Sequence, residues 1–310
     1  MAMTLMEAAI EQRVDPLQMA TIKMFTQVSP LLERIPFRKI DGNSLAYDLE
    51  TALPGVAWRA VNQTYTDSTG TINPKIERLM ILGGEVKIDN YIVNTQPTGA
   101  KDIKARQFAM KAQAISNAWD SAFLEGDDLV DPNQMVGLRR RLSGSQVIVQ
   151  VANGGTLTLA ALDNLIDLVP FPDKVLLMNR TLRRKVTALT NAVGGSVLIA
   201  FTQDTMGRQV TTYGGVPILV IEQTGDASTF LDFDEDPGDG VSDCSSVYCV
   251  SLGEGRVEGI YNNKGGKLVD VKDFGEQQAA PLIMGRCEGY YGMAMYHPRA
   301  AARLRSITNT

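Results

Sequence analysis

Lys101–Gly126, KDIKARQFAMKAQAISNAWDSAFLEG, is the stretch whose reading decides the fold. It is rich in Ala, has no Pro, and has no Gly before its last residue. Ala and straight-chain side chains lose little freedom in a helix, so helical propensity is high throughout. Phe108, Ile115, Trp119 and Phe123 recur at steps of four and seven, with Ala112 and Ala122 between them. That spacing puts one narrow apolar stripe on one helix face. Thr98 or Asp102 is a candidate cap for the start, and Gly126 is the expected left-handed residue that ends it. At ~1.5 Å per residue the rod spans nearly 40 Å. A rod of that length with a thin apolar stripe suits a spine laid across a sheet.

Ahead of the spine, residues 41–90 read as strands and turns. Glu85-Val86-Lys87-Ile88-Asp89 alternates with a clean period of two, the mark of a half-buried strand. Upstream of it, Ser44–Leu49 and Lys75–Ile81 flank a segment that carries Val56, Trp58, Val61 and Tyr65 and has a polar tip at Asp67-Ser68-Thr69-Gly70. This is a long hairpin with little of its own chain to pack on. A two-stranded ribbon is marginal alone, so it is expected to rest on another chain. Trp58 is the candidate anchor, with Tyr65 beside it and Arg59 and Lys75 as candidate charge partners. The alternative is that Trp58 caps the subunit's own core.

Residues 1–40 read as an arm. Asp15-Pro16 resembles an N-cap followed by Pro at the first helical position, and the helix it opens is expected to end near Ser29-Pro30. Met6, Met19, Met24, Phe25, Leu31, Leu32 and Ile35 are many apolar residues for a segment with so little local core. They must bury against the body of the subunit or against a neighbour. Met19, Met24 and Phe25 are the candidates for a contact between subunits.

Behind the spine the pattern is mixed. Thr158–Val169 is an amphipathic helix with Thr156 or Thr158 as its cap, and Lys174–Met178 is a buried-type strand. Asn179 caps a helix over 181–191, and Ile218–Ile221, Val247–Ser251, Arg256–Tyr261 and Lys267–Val271 are short strands. Helices and strands interleaved in this way make the chain α+β, or a layered α/β arrangement.

Composition sets the bounds. With 310 residues, 44% hydrophobic and 21% charged, the chain can bury a large core. Its net charge of −5 argues against a dedicated nucleic-acid binder, which carries a basic stripe. Three cysteines make no disulfide framework. No apolar run approaches the ~18 residues of a membrane span, and the first residues lack the pattern of a signal peptide.

The search for catalytic chemistry finds little. The single histidine, His297, precedes Pro298, and no G-x-S-x-G accompanies it. Cys244 and Cys249 have the wrong spacing for zinc. The acidic loop Asp232–Gly240 departs from a calcium loop, with Pro237 at its sixth position and Asp243 at its twelfth; a weak surface cation site is the residual reading. Phosphate-binding glycine loops are absent. Arg139-Arg140-Arg141 and Arg183-Arg184-Lys185 are dense basic clusters, read as solvated or ion-paired faces. No catalytic, cofactor-binding or metal residue is assigned.

Four stretches, in this order, carry a resemblance. They are Phe123-Leu124-Glu125-Gly126-Asp127 running into Asn133-Gln134-Met135-Val136-Gly137-Leu138; Val175–Met178 followed by Asn179-Arg180-Thr181; Gly214-Gly215-Val216-Pro217-Ile218-Leu219-Val220; and Tyr290–Leu304. Together they make the chain, from about 41 to 307, resemble the major capsid proteins of tailed bacteriophages with the HK97-type fold. The resemblance implies an N-terminal arm at 1–40 and an extended loop at 41–82. It implies a peripheral domain from 83–150 and 286–310, built on the spine, and an axial domain at 151–285. It implies a structural protein, not an enzyme, whose copies form the hexamers and pentamers of an icosahedral shell, assembled in the host cytoplasm. The implied partners are a portal, a separate scaffolding or decoration protein, and packaged double-stranded DNA held by weak non-specific contact, with no membrane. An encapsulin-like compartment around an enzyme cargo, or a soluble enzyme of another class, are the alternatives.

Overall fold

A computed structural model describes residues 29–95, 103–192, 199–203, 209–222, 230–262 and 268–309. The described chain begins with a helix start. Ser29 caps helix α1 (Pro30–Arg34), its Oγ accepting from the N–H groups of Leu31 and Leu32 at 3.2 Å each. Pro30 takes a first-turn position, where its missing donor costs nothing. Ser29-Pro30 opens a helix, and the helix expected to end near it lies outside the described residues. Leu31, Leu32 and Ile35 are fully buried in the same core as Trp119 and Phe123. The end of the arm therefore belongs to its own subunit. Met19, Met24 and Phe25 lie outside the described residues, as do Thr98 and Asp102.

The chain continues through β1 (Phe37–Lys39), β2 (Ser44–Ala52), β3 (Thr71–Arg78), β4 (Met80–Asp89), the short helix α2 (Asn90–Asn94) and the spine α3 (Ile103–Glu125). After α4 (Leu138–Arg141) come β5 (Val147–Val149), α5 (Leu159–Asp167), β6 (Lys174–Met178) and α6 (Arg180–Ala192). The remaining strands are β7 (Ile199–Gln203), β8 (Gln209–Tyr213), β9 (Val216–Val220), β10 (Cys244–Ser251), β11 (Val257–Tyr261), β12 (Asp270–Glu276), β13 (Leu282–Met295) and β14 (Ala301–Thr308).

The spine lies on a five-stranded sheet of order β1-β11-β13-β12, with β4 also paired to β13. Val86 and Ile88 of β4 are buried while Glu85 and Lys87 face out, as the period of two requires. The expected stripe of α3 is buried. Trp119 stacks on Phe123 with ring centroids 5.2 Å apart and packs on Phe37 at 5.5 Å. Gly285 lets the helix sit close, because a Cβ there would fall 2.1 Å from the Phe108 ring.

Gly126 does not take the left-handed conformation expected of it. Its N–H donates to the Ala122 carbonyl at 3.0 Å, and its carbonyl accepts from the Gly137 N–H at 2.8 Å. A Cβ on Gly126 would lie 2.1 Å from the Met135 carbonyl oxygen, and one on Gly137 would lie 2.5 Å from the Gly126 nitrogen. The two glycines let two backbone segments touch; neither is needed for turn geometry.

The second sheet has seven strands in the order β5-β14-β10-β6-β9-β8-β7. Thr158 caps α5, its Oγ accepting from the Ala161 N–H at 3.3 Å. Both faces of this sheet are covered. Leu176 and Met178 of β6 and Val247 and Cys249 of β10 pack with α5 and α6, while Val175, Leu177, Tyr248 and Val250 join the core under the spine. Burial on both faces explains why β6 reads as an unbroken apolar run.

Pairing divides the chain differently from the sequence-based domain boundaries. β11 and β12, expected in the unit spanning 151–285, lie in the sheet under the spine. β14, expected with the spine, pairs with β10 and β5 in the seven-stranded sheet. The chain changes sheet at the 3-10 turn Pro298–Ala300. Strand partners far apart in sequence leave no local trace in chain order.

Candidate functional site

β2 and β3 form an antiparallel ribbon of their own, registered from Ser44↔Arg78 out to Ala52↔Thr71. At ~3.4 Å per residue the paired part extends about 30 Å. Every residue from 53 to 70, at its far end, is exposed. Trp58 is 104% exposed and Tyr65 64%, with Leu53, Val56 and Val61 also in solvent. Large exposed apolar patches of this kind are characteristic of interaction sites.

The tip has a shape of its own. Ser68 Oγ donates to the Gly55 carbonyl at 2.9 Å, which ties its two sides together. The Arg59 guanidinium lies 5.2 Å over the Tyr65 ring and donates to the Gln63 carbonyl at 3.2 Å. Asn62 takes a positive φ of 69°, which Asn tolerates better than most side chains. The structure thus brings Arg59 and Tyr65 together, with Trp58 next to Arg59 in the chain and in solvent. It does not bring Lys75 to them: Lys75 lies far down β3, half-buried and opposite Tyr47 in the register. Arg59 is already engaged within its own tip. Trp58 does not cap its own core.

A polar cluster that sequence reasoning missed holds the base of the ribbon. Arg141 grips both carboxylate oxygens of Glu77, with Nη2 to Oε2 at 2.7 Å. Its Nη2 also donates to the Met293 carbonyl at 3.2 Å, and its Nε donates to the Val136 carbonyl at 2.9 Å. Both partners are nearly buried, with side-chain exposures of 7% and 12%. The Tyr47 hydroxyl donates to the Met295 carbonyl at 2.9 Å and lies 3.2 Å from Glu77 Oε1. The Tyr47 ring packs on Tyr296 at 4.8 Å, and the Tyr296 hydroxyl donates to the buried Glu258, which Arg38 approaches at 3.8 Å. Burial pushes the phenols of Tyr47 and Tyr296 and the carboxyl of Glu258 above their ordinary ranges. The one sequence signal was the run Arg139-Arg140-Arg141. Arg139 reaches Glu125 at 3.4 Å, Arg140 reaches Asp127 at 3.6 Å, and Arg141 takes Glu77.

The residues weighed for catalysis have structural places. His297 lies edge-on to Phe171 at 5.0 Å, and its Nδ1 accepts from the Arg299 N–H at 3.0 Å. The three cysteines are buried thiols, and burial pushes Cys244 and Cys249 up to about 12 and Cys287 up to about 11. In the acidic loop, Glu235 turns inward to Arg303 at 2.7 Å, while Asp236 accepts from the N–H groups of Gly238 and Gly240. Among the described residues no group of three or more His, Cys, Asp or Glu is placed to hold a metal ion. No described helix is long and apolar enough to cross a membrane.

Residues 16–162, which contain the ribbon and the spine, match the family model described as major capsid protein GP7. No curated protein matches the sequence. Solved structures do match over most of the chain. A solved structure of Microbacterium phage Oxtober96 superposes with a TM-score of 0.64 at 14% identity, covering 90% of each chain. The capsid of a native GTA particle gives 0.60 at 14% identity, covering 92% of this chain and 91% of that one. The holo-SrpI encapsulin of Synechococcus elongatus PCC 7942 gives 0.69 at 15% identity, covering 91% and 89%.

The fold is that of the HK97-type capsid proteins. The resemblance read from the four sequence stretches is borne out by the family match and by these neighbours. The fold is shared by capsid and encapsulin, so it does not by itself separate the two.

Proposed function

We propose that the chain is the major capsid protein of a tailed bacteriophage, and that many copies close into an icosahedral head around double-stranded DNA. The observation that carries this reading is the match of residues 16–162 to the major capsid protein family, which favours a capsid over an encapsulin. The ribbon supports it, because the apolar residues at its tip are exposed to solvent. Trp58 and Tyr65 anchor the ribbon on a second copy, with Val56 and Val61 widening the apolar contact. Met19, Met24 and Phe25 of the arm add a further contact between copies. In this reading the spine and the five-stranded sheet form the peripheral domain, and the seven-stranded sheet with α5 and α6 forms the axial domain. The net charge of −5 suits a wall that need not grip the DNA it encloses. A portal and a separate scaffolding or decoration protein complete the head, which assembles in the host cytoplasm.

The SrpI likeness supports a second reading, a protein compartment around an enzyme. Electron microscopy of particles purified from infected cells, combined with an assay of their contents, separates the two. The capsid reading predicts closed shells holding nuclease-protected double-stranded DNA. Shells filled with a single co-purifying enzyme and no nucleic acid would overturn it.

A further inference from the structure

The two strands of the ribbon leave the body through thin links. β2 follows Gly42 and Asn43, where Gly42 has a φ of 95° and open space around it, and β3 enters β4 through the single residue Leu79. Links this short can pivot. Three residues on the inner face of the ribbon stop them. Leu45 packs against Ile40, Ile260 and Ala294. Tyr47 bonds the Met295 carbonyl, and Glu77 is gripped by Arg141. Ala46, Ile76 and Arg78, on the opposite face, are exposed.

We infer that Tyr47, Glu77 and Arg141 form a latch that fixes the direction of the ribbon in the free subunit, so that Trp58 is aimed before a second copy arrives. The inference rests on the proposed docking of the ribbon on a second copy. A lever about 30 Å long that tilts by about 10° at its base moves its tip by about 5 Å. A buried aromatic anchor works only when it meets its pocket, and a ribbon ordered in advance loses less freedom on binding. Arg141 serves the latch well because a guanidinium holds a carboxylate in one plane through two parallel bonds. It is a positioning residue for assembly.

The test compares the full chain with Tyr47→Phe, Glu77→Gln and the double variant, using Trp58→Ala as a tip control. Hydrogen exchange is followed on the unassembled subunit, and particle yield by sedimentation. The expected result is at least tenfold faster exchange at 44–49 and 71–78 in the double variant, with β6 and β10 unchanged. Particle yield should fall at least tenfold. Tyr47→Phe, the milder change, should lie between wild type and the double variant on both measures. Trp58→Ala should lose assembly with no change in exchange at the base. Unchanged exchange at the ribbon base, or normal particles despite a loosened ribbon, overturns the latch. If Trp58→Ala assembles normally as well, the docking reading fails, and the latch falls with it.

Discussion

Ser29 Oγ donates a 2.9 Å hydrogen bond to Asp120 Oδ1, across ninety-one residues of sequence. One side chain thus caps α1 and pins it to the C-terminal part of the spine. Asp120 is 2% exposed. Burial pushes its carboxyl up to about 7 from 3.8, against the opposing pull of the Ser29 bond.

That burial predicts a pH effect of definite sign. Between 3.8 and about 7 the folded protein keeps a proton on Asp120 that the unfolded chain releases. Stability therefore falls as pH rises through that window and levels off above it. At ~1.4 kcal/mol per unit the loss is at most ~4 kcal/mol. Asp120→Asn, which cannot ionise, should remove this slope. Denaturant unfolding of the subunit across the window measures it, and parallel curves for wild type and variant would count against it.

Trp119 is fully buried between Phe123 and Phe37. Trp119→Ala should cost ~3–5 kcal/mol, the range for removing a large aromatic from a core. Soluble yield should drop before assembly is tested. A Trp119→Ala subunit with wild-type stability would mean the cavity closes at no cost.

Gly137→Ala should be nearly as severe, although it adds only a methyl group. The new Cβ would meet backbone atoms of Gly126 and Ala122 at 2.5 Å and 2.6 Å, and backbone cannot move aside as a side chain can. Thermal unfolding should show a large loss for Gly137→Ala and little for Gly144→Ser, where the surroundings are open. The latter carries only the strain of its φ of 62°.

The arm divides at Ser29. Deleting residues 1–28 should leave a folded subunit that assembles poorly, because Leu31, Leu32 and Ile35 remain in the core. Deleting residues 1–35 should unfold it. Circular dichroism of the two truncations checks this, and an unfolded first truncation would place the earlier part of the arm in the subunit's own core.

What the sequence disclosed followed from local pattern. The stripe Phe108, Ile115, Trp119 and Phe123 and the alternation at 85–89 each repeat within a few residues, and both were legible. The Thr158 cap was legible for the same reason. Ser29-Pro30 was legible in principle, since Asp15-Pro16 had been read by the rule that Ser29 obeys. The exposure of Trp58 followed from the lack of partners near it. Sheet membership of β12 and β14 was not legible, because their partners β13 and β10 declare themselves only through tertiary pairing. Glu77 and Arg141 stand sixty-four residues apart on polar stretches that look solvated. Gly126 looked like a helix stop because its true partner, Gly137, lies beyond an acidic loop.

The central claim is that this subunit closes into shells through its ribbon. Sedimentation velocity of the purified wild-type protein beside Trp58→Ala, with the thermal midpoint of each unassembled subunit, tests it most directly. The account predicts large closed particles for wild type and only small species for the variant, with the two subunits melting together. A wild-type protein that stays a small monodisperse species would contradict it. So would a Trp58→Ala chain that loses subunit stability while its particles form as before.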